Sequence, residues 1–169
     1  MAGWKDLPGG VVASTVYSDG ALISRNATVT LPEVSNVTAE IRAGGTVEVP
    51  ITGQVEAMEM TVTQNAADEG LGDLAAPGSH SVEVRWVQDE LSNDGGMRTV
   101  GYKAFMRCYS KTIPGVSVEV GSLSENECTL GVTRYQLFRD GSEILCIDQL
   151  NGIYKVNGTD YAASVWSLL

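Results

Sequence analysis

The sequence predicts a mainly β domain with one short helix, a small β-sandwich or barrel. Three observations carry that prediction. Nineteen glycines against only five prolines suit many short strands joined by turns. Period-two alternation recurs, as in residues 81–87, where Val82, Val84 and Trp86 point one way and Glu83 and Arg85 the other. Asp19-Gly20, Asp140-Gly141 and Asn157-Gly158 stand beside apolar runs, and two-residue loops of this kind signal hairpins because both central residues take positive φ. With 169 residues, 43% of them hydrophobic, the chain makes one domain able to bury about 70% of its unfolded surface.

In order along the chain, residues 1–10 are polar and glycine-rich and read as a flexible N-terminal arm that orders against a partner, leaving 11–169 as a single domain. Residues 11–17 and 21–24 form a first hairpin about residues 18–20. Residues 28–31 make a strand ended by Pro32, which cannot continue a ladder from a central position. Across 32–53 Val37, Ala39 and Ile41, then Val47, Val49 and Ile51, alternate with polar residues around Gly44-Gly45, which predicts an extended hairpin arm. In the strand 55–63, Glu56 shares the face of Met58, Met60 and Val62, opposite Ala57, Glu59, Thr61 and Thr63.

Residues 66–76 are the one helix expected before the C-terminus. Asp68 and Glu69 suit its first turn, Leu71, Leu74 and Ala75 have helical spacing, and Pro77-Gly78 ends it. Gly70 and Gly72 each weaken it by about 1 kcal/mol relative to alanine. A strand at 81–87 turns through the polar stretch 89–96 into a long strand at 98–110. Ile113-Pro114-Gly115 breaks this, and Val116, Val118 and Val120 predict β structure at 116–120 before the acidic loop 121–127. Two apolar runs, 130–138 and 143–147, flank Asp140-Gly141. The register of that turn sets Leu137 opposite Ile144 and Tyr135 opposite Cys146, and apolar character on both faces predicts cover on both. Residues 151–155 and the Asn157-Gly158 turn lead to a tail with Tyr161, Val165, Trp166, Leu168 and Leu169.

Chemistry is scarce. A net charge of −10 argues against general attraction to nucleic-acid phosphates. Cys108, Cys128 and Cys146, odd in number and lacking a C-x-x-C pair, read as buried free thiols in a reducing compartment. No signal peptide or membrane-length apolar run is evident, so the chain is expected to be made in the cytosol, and the glycosylation patterns at Asn26, Asn36 and Asn157 are coincidental. His80, the only histidine, sits near Pro77-Gly78 and reads as an exposed turn residue rather than part of a triad. The clusters Asp68/Glu69/Asp73 and Asp89/Glu90/Asp94 lack calcium-loop spacing. Gly70-Leu71-Gly72 is no nucleotide fingerprint, and Glu56 and Glu59 face opposite ways. Trp86, Tyr102, Phe105 and Tyr109 read as core rather than a sugar platform. No catalytic, cofactor or metal site is expected.

One spaced motif is specific. Tyr135, Leu137, Asp140-Gly141, Glu143-Ile144-Leu145, Ile147-Asp148, Leu150-Asn151, Ile153, Lys155-Val156-Asn157-Gly158 and Asp160 together resemble the C-terminal region of major tail tube proteins of contractile-tailed phages, in the branch typified by phage P2. Residues 17–22 around Asp19-Gly20, then Thr28-Val29-Thr30-Leu31-Pro32 and Gly44-Gly45, are similar to the same family, so the resemblance spans residues 11–161. It implies a structural subunit whose hexameric rings close an inner β-barrel by pairing strands between subunits. The rings stack into a hollow conduit for DNA and the tape measure protein, with DNA passing without specific binding and no stable membrane association. Its partners would be further copies of itself, the tail sheath protein, and baseplate or tail initiator and terminator proteins, in a virion tail assembled in the bacterial cytoplasm.

By the same resemblance, residues 32–53 form the loop by which one ring grips the next. Leu31, Pro32, Gly44 and Gly45 in the arm, with Asp140, Gly141, Ile147, Asp148, Asn151, Lys155, Asn157 and Gly158 near the C-terminus, are then the assembly positions, as shape-determining turns and pairing sites. Few lysines or prolines blunt the strands between 55 and 110, which agrees with edge-to-edge closure. Lumen-facing positions within 55–63 and 81–110 are expected to be net acidic or small and polar. The tail departs from the family: residues 162–169 lack the arginines relatives carry, and packing of Trp166 and Leu169 would replace their inter-ring contact. The rival readings are the tube of a contractile bacteriocin or secretion system, and a monomeric β-sandwich binding module for a ligand such as carbohydrate.

Overall fold

The computed structural model describes residues 4–169. Among these, the strands are β1 (Leu7–Ser18), β2 (Ala21–Arg25), β3 (Thr28–Thr30), β4 (Asn36–Arg42), β5 (Thr46–Val55), β6 (Met58–Gln64), β7 (Ser79–Leu91), β8 (Met97–Thr112), β9 (Asn126–Arg139), β10 (Ser142–Asp148), β11 (Ile153–Val156) and β12 (Thr159–Asp160). Helix α1 (Glu69–Ala75) follows β6, and a single helical turn, α2 (Ala163–Trp166), closes the chain. The mainly β class is as expected. Ten strands form one sheet in the order β12-β11-β10-β9-β8-β7-β1-β2, with β6 on β9 and β3 on β6, while β4 and β5 pair only with each other.

Every pair in the main sheet is antiparallel, so the alternating apolar residues of successive strands fall on one face. That face carries the core: Val16, Val82, Val84, Ala104, Met106, Leu130 and Val132, joined by Met58, Met60 and Val62 from β6 and by Leu71 and Leu74 from α1. Met60, Val62, Leu74, Ala104 and Leu130 are fully buried. Burial of each of these side chains larger than alanine contributes about 2 kcal/mol.

Strand β9 links the two halves of the sheet. It pairs with β8 along one side, and along the other with β6 at Asn126–Val132 and with β10 from Arg134 onward. Thr133 is the extra residue at the crossover, since Arg107 faces Arg134 while Cys108 faces Val132. Its Oγ1 donates to the Arg107 carbonyl, and its own carbonyl accepts from Gln149 N at 3.1 Å.

Three hairpin turns form as their sequences predict. Asp19/Gly20, Asp140/Gly141 and Asn157/Gly158 have φ of 49°/87°, 48°/78° and 49°/85°, the positive pair a type I′ turn requires. The register beyond Asp140-Gly141 differs from expectation. Glu143 faces Phe138, but a bulge at Ile144 then sets Leu137 opposite Leu145 and Tyr135 opposite Ile147. The displaced Ile144 carbonyl accepts from Asn157 N at 2.7 Å, tying the bulge to the Asn157-Gly158 turn.

Helix α1 is shorter than the 66–76 expected. Asp68 Oδ1 accepts from Leu71 N at 3.2 Å and fixes its start, and Ala76 leaves helical dihedrals (φ −59°, ψ 139°) because it precedes Pro77. Gly70 is needed for packing: a Cβ there would lie 2.7 Å from the Ile23 carbonyl of β2. The expected strand at 116–120 does not form. No described strand runs beside it, and Val118 and Val120 are fully exposed. Glu56 lies exposed between β5 and β6 rather than on the Met58 face. Of the stretch expected as a flexible arm, residues 1–3 lie outside the described residues, and residues 7–10 belong to β1, because β7 runs on to Leu91 and pairs with Leu7 and Pro8.

All three cysteines are free and buried. Burial, with the Asp19 carboxylate adding to it, pushes the Cys108 thiol up to about 12, and burial raises Cys128 and Cys146 as well. A thiolate is the reactive form. A thiol-titrating disulfide reagent at neutral pH should therefore leave the native protein unlabelled, and all three groups should appear only on denaturation.

Candidate assembly surface

Among the described residues, the β4–β5 arm has no other strand beside it. Ile41 faces Val47 and Ala39 faces Val49 across it, giving one apolar side, with Ile41 and Val47 about half exposed. The other side brings Glu40 directly opposite Glu48. Isolated two-stranded hairpins are marginal, and like charges in direct opposition weaken them further. The base of the arm is anchored: Gln149 Nε2 donates to the Val55 and Glu56 carbonyls at 3.0 and 2.9 Å, and Gly53 (φ 74°) packs against the buried Ala162. The tip, Ala43-Gly44-Gly45, is closed by Ala43 N donating to the Gly45 carbonyl.

A second exposed feature is the sheet edge. β2 covers β1 only from Thr15 onward, so among the described residues the outer flank of β1 before Ser14 is unpaired, and Val11 and Val12 are exposed there. On the opposite flank of the same three-strand tip, β9 reaches β8 only from Tyr102, leaving residues 97–100 without a neighbour on that side.

The face of the sheet opposite the core is open. Register places Arg25, Thr15, Arg85, Lys103 and Phe138 on one rung, Tyr17, Glu83, Phe105 and Gln136 on the next, and Ser81, Arg107 and Arg134 on a third. Arg85 is paired with Glu83 and stacks over the Tyr17 ring at 4.7 Å. Arg134 reaches Asp148 only at 4.0 Å, and its Nε has no hydrogen-bond partner. On β7 and β8 this face presents Ser81, Glu83, Arg85, Val87 and Asp89, then Gly101, Lys103, Phe105, Arg107 and Tyr109. The two strands thus present both signs of charge on this face, with aromatic residues between them.

Two polar clusters brace these surfaces. Glu90, almost fully buried, is held between Arg98, whose Nε donates at 2.8 Å, and Arg139, whose Nε also donates to the Tyr102 hydroxyl at 3.2 Å. Burial raises the Glu90 pKa, but the two guanidiniums outweigh it and hold the carboxyl below its ordinary range. The sequence reading placed Glu90 in a turn and Arg98 at the start of the strand after it; their pairing across a longer β7–β8 hairpin brings them together.

His80 is likewise not the exposed turn residue expected. It lies in β7 opposite Cys108, with its ring under the C-terminal end of α1. The protonated ring donates Nε2–H to the Ala76 carbonyl at 2.6 Å and Nδ1–H to Asp19 Oδ2 at 3.3 Å. A neutral ring would turn a lone pair toward one of these acceptors. The Ala76 bond, opposed by burial and aided by Asp19, raises the His80 pKa above 6.5, while bonds from Ser81 N and His80 lower that of Asp19. For a raised histidine pKa the added stability is complete below the unfolded value and is lost as pH rises through the folded one. The His80 contribution to the melting temperature of the native protein should thus fall as pH rises above about 6.5, and the His80→Gln variant should flatten that slope.

The residues assigned to assembly divide between buried positions and exposed turns. Pro32 is buried and Leu31 half-buried against the core. Asp140-Gly141 and Asn157-Gly158 are the two turns, and Ile147 is core. Asp148 is buried and accepts from Leu150 N and Asn151 N at 3.1 Å and from Asn151 Nδ2 at 2.7 Å. Lys155 lies 3.7 Å from Glu143. Only Gly44 and Gly45 stand fully clear of the body. Trp166 packs within its own chain, donating Nε1–H to the Gly152 carbonyl at 3.0 Å, whereas Leu168 and Leu169 are exposed.

This fold has known counterparts. A chain of the PVC extracellular contractile injection system, in its sheath–tube complex in the extended state, superposes with a TM-score of 0.56 at 19% identity, covering 78% of this chain and 91% of that one. A chain of the PVC sheath/tube terminator in the extended state gives 0.56 at 18% identity, covering 78% and 97%. The tail tube protein of Escherichia phage P2 is 29% identical over 138 residues, 78% of this chain and 79% of that protein. The family model for phage tail tube protein FII matches residues 10–169. Matched over nearly its whole length, the chain belongs to the phage tail tube protein FII family, a family of structural proteins.

Proposed function

We propose that the chain assembles as hexameric rings stacked into a hollow tail tube, surrounded by a contractile sheath. The observation that carries this reading is the β4–β5 arm: a hairpin with an exposed apolar side, firmly anchored at its base and without cover of its own. Such a side needs burying, and the next ring supplies the surface. Gly44 and Gly45 let the tip turn tightly there. Within a ring, the unpaired outer flank of β1 and the opposite flank of β8 at residues 97–100 give each subunit two strand edges, and head-to-tail pairing of such edges closes a barrel. The buried Ile147 and Asp148, with Asn151 and the neighbouring turns, support assembly by fixing the shape of the body.

The core occupies one sheet face, so the open face is the one that borders the lumen, and the wall is mixed in charge rather than acidic. The lumen conducts DNA and the tape measure protein, between a baseplate-linked initiator and a terminator, in a virion tail assembled in the host cytoplasm. The tube of a contractile bacteriocin or secretion system shares every one of these surfaces and differs only in carrying no DNA. Resemblance of the fold to PVC injection-system chains favours keeping that second reading.

Negative-stain microscopy of the purified protein over a range of concentrations, with and without its tail initiator and tape measure proteins, tests the proposal. Hollow rods or sixfold rings are expected. A strictly monomeric preparation with both proteins present would refute it in favour of a monomeric binding module.

A further inference from the structure

The chain holds 21 acidic side chains against 11 basic ones, yet its open face brings cations into direct opposition. Arg85 faces Lys103 across β7–β8, and Arg107 faces Arg134 across β8–β9. Arg25 lies on the rung of Arg85 and Lys103. Like charges directly opposite are destabilising in an isolated sheet. Arg85 has Glu83 as partner, but Lys103 and Arg107 are exposed and have no ion pair among the described residues. A depression of about 580 Å³ adjoins Lys103, lined by Arg85, Val87, Gly101, Phe105, Phe138 and Asp140, and Arg107 borders a separate hollow on the other side of Phe105 with Glu83 and Arg134. Phe105 and Phe138 meet edge to face at 5.6 Å, and nothing lies within 4 Å of the space above Gly101.

From this charge pattern and cavity we infer that the open face docks an acidic polypeptide, whose apolar side chains enter the Phe105–Phe138 depression while its carboxylates meet Lys103 and Arg107. Two features select this occupant. Unpaired cations call for an anion, and an aromatic-walled hollow calls for an apolar group beside it. A nucleic-acid duplex offers only the first, and the net charge of −10 opposes it. Placing this face on a lumen, with the occupant a protein threaded through the tube, rests on the function proposed above. The binding chemistry can be measured apart from it.

The test uses the intact chain and a fluorescent amphipathic helix of leucine and glutamate as probe, with a DNA duplex of equal length as the alternative, at low salt by anisotropy. The peptide should bind and the duplex should not. K103E/R107E should weaken peptide binding by more than about tenfold, whereas K103R/R107K and the off-face K5E should stay within about twofold of the parent. Unfolding curves of the variants show whether each is folded. Duplex binding equal to or tighter than peptide binding, or a peptide affinity that K103E/R107E leaves unchanged, would overturn the inference. Microscopy of the same samples separates the two readings: rods with no peptide binding retain the tube and remove this site. Peptide binding without rods, even with initiator present, retains the site and removes the tube.

Discussion

Replacing Ile41 and Val47 together by aspartate is expected to leave a folded, soluble subunit that no longer stacks. The two side chains face each other on the apolar side of the β4–β5 arm and are already half exposed, so the isolated subunit gains little from them. In the assembly they would be covered by the next ring. Losing two aliphatic contacts of about 1–2 kcal/mol each, and burying two charges in their place, should raise the concentration needed for tube growth by more than about tenfold. Sedimentation would show the shift, with circular dichroism and the melting temperature close to the parent's. Unchanged sedimentation would mean the arm does not grip a neighbour. A large drop in melting temperature would mean its apolar side serves the subunit's own fold.

Asp148→Ala is expected to have the opposite character, unfolding the subunit before it affects any contact between subunits. The buried carboxylate gathers the Leu150 and Asn151 backbone N–H groups and the Asn151 side chain, shaping the turn that leads from β10 into β11. Removing it takes the shared acceptor from three part-buried hydrogen bonds, at about 1–3 kcal/mol, which lowers the melting temperature of a domain this size by roughly 3–10 °C. Asp148→Asn keeps an oxygen for the backbone donors and should lose about half as much. A parent-like melting temperature combined with failed assembly would show instead that Asp148 is an interface residue.

The comparison of these two variants reflects what the family-like motif encodes. Its densest residues, from Tyr135 to Asp160, are turns, a bulge and core positions rather than exposed contacts. A sequence pattern of that kind records local geometry that any member must reproduce. In the proposed tube the contacts between subunits fall instead on the arm and on strand edges, where residue type is less constrained by the backbone.

By itself the sequence determined the mainly β class, the three positive-φ hairpin turns, the β4–β5 arm and the burial of three free thiols. These follow from local rules: glycine at positive φ, period-two alternation, and the cost of exposing thiols and apolar side chains. Tertiary structure alone decided the rest. The bulge at Ile144 depends on a hydrogen bond from Asn157, beyond the turn that was expected to set the register. The strand at 116–120 fails although its alternation is sound, because a strand needs a neighbour and none of the described residues pairs beside it. His80 is buried because Asp19, distant in sequence, arrives on one side of its ring and the end of α1 at Ala76 folds back over the other. The open face carries opposed cations because β1, β7, β8 and β9 pair in one particular register. Alternation tells which residues of a strand share a face, but only pairing tells which strands, and therefore which charges, that face brings together.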